Sequence, residues 1–219
     1  MLSGSLVVLS GPSGSGKDAF VDGIIDAAAV PVVRAKKITT RAPRPNERKE
    51  SSYEHVDDSV FCKRIRSNLV PYYYVKNKQW YAVDTHFLFD QISSGKNVIL
   101  VYSDYETVSS MCSDFEKHDI PVRRWLIEAS QADLEARIRA RKLGTDETKR
   151  RVAEVERELH QLKTLRKHYH EHFFNSNSPT GVRPEHITRA LSLILHYYDL
   201  ANNVVTADFG EPVQQRASL

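Results

Sequence analysis

An α/β architecture, a parallel sheet flanked by helices, is expected of this chain on three grounds. Residues 6–9 (Leu-Val-Val-Leu) and 97–102 (Asn-Val-Ile-Leu-Val-Tyr) are short apolar runs, the pattern of strands buried on both faces, and residues 122–129 supply a third core strand. Each is followed by a stretch whose apolar residues recur at helical spacing, and strands alternating with helices build parallel sheets. A glycine-rich turn joins the first strand to the first helix.

Taken in order, strand 6–9 ends at Ser10-Gly11, and helix 17–28 follows with Phe20, Val21, Ile24 and Ile25 on one face. Residues 36–83 change character. They are rich in Tyr, Arg and Lys, with strand-like pieces at 37–40, 53–56 and 72–75, and Pro43 and Pro45 break any helix there. This reads as an inserted β-rich lobe. Helix 84–94 returns with Asp84 as its N-cap. After strand 97–102, helix 104–117 places Val108, Met111, Cys112 and Phe115 on one face. Strand 122–129 leads into helix 131–141. Residues 142–150, polar and containing Gly144, read as a mobile loop. A long helix then aligns Val152, Val155, Leu159, Leu162 and Leu165. Phe173-Phe174 begins the last strand, and Pro184 opens a helix carrying Ile187, Leu191, Ile194 and Leu195. From Asn202 to Leu219 periodicity is lost and disorder is expected.

Composition limits the function classes. With 41% hydrophobic and 27% charged residues, the chain is expected to fold. The net charge is only +3, yet residues 34–49 hold seven cations against Glu47, and residues 137–151 hold seven more against Asp146 and Glu147. Focused charge of this kind suits a small polyanion such as a phosphate ester; a nucleic-acid binder would need one continuous basic stripe. Two cysteines, Cys62 and Cys112, provide no disulfide framework, and the opening residues carry no signal or membrane segment, so a cytoplasmic protein without a membrane partner is expected.

Gly11-Pro12-Ser13-Gly14-Ser15-Gly16-Lys17 fits G-x-x-x-x-G-K. In such a loop the glycines let the chain wrap a phosphate, amide N–H groups converge on it, and the lysine adds a full charge. Gly11, Ser13, Gly14, Ser15, Gly16 and Lys17 are therefore candidate ATP-binding residues. The motif calls for Ser or Thr next, and this chain has Asp18. Asp18 is either a hard oxygen ligand for Mg²⁺ or an acid favoured by the start of a helix. Asp104 has the same two readings, a water-bridged Mg²⁺ contact or a helix cap. A second constellation runs from Thr39-Thr40-Arg41 through Arg44 and Glu47 to Tyr53 and Val56; two arginines three apart with a nearby tyrosine can grip one phosphate.

These motifs, with Trp80-Tyr81-Ala82 and the arginines Arg137, Arg141, Arg150 and Arg151 around Thr145, resemble the guanylate kinase family over about residues 5–200. The resemblance implies a P-loop NTPase core (1–35, 95–136 and 152–201), an acceptor-binding lobe (36–94), a helical lid (137–151) and a tail (202–219). It implies ATP with Mg²⁺ as donor, acceptor-phosphate contacts from Arg41, Arg44, Tyr53 and Tyr81, and catalysis by Lys17, Arg41 and the lid arginines Arg137, Arg141, Arg150 and Arg151. At the positions that read guanine in the family stand Lys37, Tyr72 and Ser103. Gly-Lys-Asp is similar to ribose 1,5-bisphosphate phosphokinases, which implies a sugar bisphosphate acceptor. The alternatives are GMP, as in guanylate kinases, and an inactive guanylate-kinase-like interaction module. A monomer or homodimer is expected.

Overall fold

The computed structural model describes residues 4–43, 53–141, 144–176 and 182–207. The main sheet contains β1 (Ser5–Ser10), β2 (Val32–Arg34), β7 (Asn97–Val101), β8 (Val122–Glu128) and β9 (Glu171–Phe174) in the order β2-β7-β1-β8-β9, and every pairing is parallel. The second sheet, β4-β3-β6-β5, is mixed: β3 (Lys37–Thr39) runs parallel to β4 (Tyr53–His55) and antiparallel to β6 (Gln79–Val83), which pairs antiparallel with β5 (Tyr73–Lys76). The helices are α1 (Lys17–Ala27), α2 (Asp58–Arg66), α3 (Thr85–Ser93), α4 (Tyr105–Lys117), α5 (Gln131–Ala140), α6 (Thr145–Leu165) and α7 (Pro184–Ala207).

The unbroken apolar run of β1 reflects burial on both faces. Leu6 and Val8 point into a core formed with Leu88 and Ile92 of α3 and Val108, Met111, Cys112 and Phe115 of α4. Val7 and Leu9 point the other way, into Phe20, Val21 and Ile24 of α1, Trp125, Phe173 and Ile194. Because β7 and β8 flank β1 on opposite sides, the carboxyl end of β1 is where a fold of this kind is expected to form its ligand crevice. The lobe has its own small core of Ile38, Phe61, Val70 and Ala82.

Several elements differ from expectation. The lobe contains α2, which begins a dozen residues beyond the prolines and buries Phe61. Strands β2 and β6 were not anticipated. The β5–β6 hairpin turns at Asn77 (φ 55°) and Lys78 (φ 62°), both in the left-handed region that a tight two-residue hairpin demands. Residues 145–150, expected as a loop, form the first turns of α6: Asp146 and Glu147 favour the positive helix end, and Glu147 pairs with Arg151 one turn on. Phe173 and Phe174 end β9 instead of starting it. The last helix continues through Ala207, since no glycine or proline interrupts 185–207; the rest of the tail and Arg44 lie outside the described residues.

Candidate active site

The loop between β1 and α1 is shaped by its backbone. A Cβ on Gly11, where φ is 152°, would stand 2.1 Å from the Ile127 carbonyl oxygen of β8, so the chain passes there only as glycine. Gly16, at φ 95°, turns the chain into α1. The back of the loop is tied down. Arg137 donates to the carbonyls of Gly14 (3.2 Å) and Asn175 (2.8 Å), and fully buried Asn175 donates to Ser15 O at 2.9 Å. Lys17 Nζ donates to Gly11 O and Pro12 O, both at 2.9 Å. Burial pushes its ammonium down to about 8, Lys76 and Arg141 add to this, and Glu158 and Asp18 oppose it. Ser13 N, in the same loop, donates to Glu158 Oε2 at 2.8 Å.

Asp18 occupies the first turn of α1 with its side chain 79% exposed and pairs with Arg34 at 3.0 Å. Arg34 also holds Asp22 at 2.8 Å. Partial enclosure works against the charged form of Asp18, but Lys37, Arg34 and Lys17 outweigh it and hold its carboxyl below the usual range. The Asp18 carboxylate itself is exposed, so solvent screens its pairing with Arg34, which adds little stability.

On the lobe side, buried Lys37 donates to Tyr53 Oη at 2.9 Å and to Val101 O at 3.2 Å. The Arg41 guanidinium lies 5.4 Å from the Tyr53 ring centroid. Tyr53 meets Tyr81 edge-on at 6.5 Å, and Tyr81 donates to Gln79 Oε1 at 3.1 Å. Tyr74, in a Tyr72-Tyr73-Tyr74 run suited either to stacking on a sugar or base or to strand packing, stacks on Tyr81 at 5.1 Å and meets Tyr102 edge-on at 5.0 Å. Tyr72, expected on the acceptor side, sends its hydroxyl to Asp114 Oδ2 of α4 at 3.0 Å and packs near Phe115. It precedes β5 and overlies α4, so its nearest hydroxyl acceptor is there. Ser103 is exposed on the loop after β7.

A family model described as an AAA domain matches residues 6–168. A guanylate kinase of Aromatoleum aromaticum is 31% identical over 146 residues, 66% of this chain and 68% of that protein. The chain belongs to the guanylate kinase-like P-loop kinases. A guanylate kinase of Rhodopirellula baltica is 28% identical over 173 residues, 77% of this chain and 79% of the relative. The solved guanylate kinase of Anaplasma phagocytophilum shares the fold, with a TM-score of 0.57 at 18% identity, covering 96% of this chain and 89% of that one.

In this guanylate kinase-like protein the four arginines expected in a lid take different places. Arg137 braces the back of the P-loop. Arg141 is exposed at the end of α5, close enough to Lys17 to lower its affinity for a proton. Arg150 and Arg151 both pair with Glu147 on their own helix. Asp104 is the N-cap of α4, its Oδ2 accepting from Thr107 N at 3.0 Å and Thr107 Oγ1 at 2.6 Å. Among the described residues no group of three or more His, Cys, Asp or Glu side chains could hold a metal, and no helix is long and apolar enough to cross a membrane. Mg²⁺ bound with a nucleotide needs no protein cage, since phosphates and one or two carboxylates suffice. Asp18, exposed and next to Lys17, fits that role. Glu158 and Lys76 are site residues that sequence reading missed; one more acid on a polar helix and one more lysine on a strand give no signal.

Proposed function

We propose that the protein transfers the γ-phosphoryl group of ATP to the phosphate of a small-molecule acceptor, with GMP as the leading acceptor. The observation that carries this is Lys37. Its ammonium donates to Tyr53 on the proposed acceptor side and to Val101 O at the end of β7, the strand residue paired with Leu9 of β1 just before the glycine-rich loop, which supports two phosphate-suited clusters meeting there. GMP is favoured because relatives matching most of the chain are named guanylate kinase.

The chemistry needs positioning and charge neutralisation more than proton transfer. Lys17 and the loop amides would hold the donor phosphates, with Asp18 able to serve Mg²⁺. That ion, when bound, would neutralise charge on the β- and γ-phosphates. Arg41, Arg44, Tyr53 and Tyr81 would hold the acceptor phosphate. Its oxygen, already ionised at neutral pH, bonds to the γ-phosphorus as the bond to the β–γ bridging oxygen breaks, leaving ADP. Arg137 serves by keeping the loop in shape.

One observation favours a second reading, a phosphorylated sugar. Lys37 and the tyrosines supply a cation and ring faces instead of carboxylates that would accept from guanine N–H groups. A kcat/KM comparison over GMP, dGMP, other nucleoside monophosphates and ribose 1,5-bisphosphate tests both. GMP is expected to be best. A clear preference for ribose 1,5-bisphosphate would transfer the assignment to the second reading. ATP binding without turnover of any acceptor would point to an interaction module.

A further inference from the structure

Glu158 sits on α6, remote in sequence from loop 11–17, yet its carboxylate behaves there as a phosphate oxygen would. Oε2 accepts from Ser13 N at 2.8 Å, and Oε1 accepts from Lys76 Nζ at 2.8 Å. Its side chain is only 20% exposed. Lys17 adds attraction from the loop side, and despite burial these cations and the Ser13 amide hold the carboxyl below its usual range. Lys76 is the last residue of β5, and Tyr74, two residues earlier on that strand, stacks on Tyr81 in the acceptor cluster.

A P-loop amide donates one strong hydrogen bond, and two anions cannot share it. We propose that Glu158 competes with a donor phosphate for the Ser13 amide, and that Lys76 is a phosphate-binding cation brought to the donor site by the acceptor lobe. The entering polyphosphate takes the Ser13 amide and repels the carboxylate. Lys76 then loses its partner beside a new polyanion and pairs with it. The exchange couples donor binding to strand β5, and through Tyr74 to the acceptor cluster. The proposal rests on loop 11–17 being the donor site.

The test is the affinity of the intact chain for ADP, with adenosine as a ligand lacking phosphates, measured by titration calorimetry. Glu158→Gln keeps the shape and removes the competing charge; it is expected to tighten ADP binding about tenfold, the effect of one charge-assisted hydrogen bond. Glu158→Ala, the second variant should Glu158→Gln fold poorly, is expected to tighten it as well. In the Glu158→Gln background, Lys76→Gln is expected to weaken ADP about tenfold and leave adenosine unchanged. Unchanged or weaker ADP binding by Glu158→Gln overturns the competing role. If the double variant binds ADP like Glu158→Gln, Lys76 is only an ion-pair partner and its phosphate role falls. If neither wild type nor Glu158→Gln binds ADP, the donor-site reading itself has failed, and this proposal with it.

Discussion

The two halves of the proposed site, one for the donor and one for the acceptor, are built differently. The donor half is seven consecutive residues whose backbone makes the site: glycines fit where a Cβ cannot, and Arg137 and Asn175 hold the loop carbonyls from behind. The acceptor half is made of side chains from β3, β4, β5, β6 and the end of β7, meeting through ring faces and Lys37. A backbone-built site depends on where glycines stand. A side-chain-built site depends on which way each residue of each strand faces, so moving two positions along one strand changes the residue that matters.

Lys17→Ala should have the largest effect. Removing the single full charge within the donor loop should lower kcat/KM by about 10²–10³ and abolish the rise in melting temperature that ATP with Mg²⁺ produces by mass action. Equal stabilisation of wild type and variant would mean that the loop does not carry the donor half. The acceptor half is sharpened by a paired comparison of tyrosines. Tyr81→Phe should raise KM for the acceptor about tenfold, the value of one hydrogen bond to a charged phosphate. Tyr72→Phe should leave KM unchanged and lower stability only slightly, since its hydroxyl serves the partly exposed Asp114. The reverse result would restore Tyr72 to the acceptor side.

The smallest effect is a pH dependence confined to the donor half. The free-protein ammonium of Lys17 is pushed down to about 8 from an ordinary 10.5, and a bound polyphosphate pulls it back up. Bound protein then holds more protons than free protein. Affinity for ADP is full below about 8 and falls as pH rises through that value, with proton uptake on binding measurable by calorimetry in buffers of different ionisation enthalpy. Without nucleotide the sign for stability is opposite. Between about 8 and 10.5 the unfolded chain holds more protons, so this residue's contribution to stability rises with pH.

The main sheet and its helices were legible in the sequence because two-sided burial writes long apolar runs, as in β1 and β7. The caps were legible too: Asp84 accepts from Phe87 N, and Asp104 from Thr107 N. Short elements escaped. Three-residue β2 has no room for a pattern, and β6 mixes Gln, Trp and Tyr because it is only half-buried. At the site, loop 11–17 could be read directly, whereas Tyr74, Lys76 and Glu158 owe their place to strand facing and to the packing of α6 over the loop. Neither leaves a trace in local composition.

Asn175 also sets an order of assembly. It donates to Ser15 O across 160 positions and accepts from Arg183 N, joining the nucleotide loop to the start of the last helix. Strand β1 itself gains no neighbour until residues 97–101 and 122–128 are available. Synthesis runs from the amino end. Loop 11–17 is therefore made long before Asn175, and a chain shortened before position 175 would carry the whole glycine-rich motif without one of the two side chains that hold its carbonyls from behind.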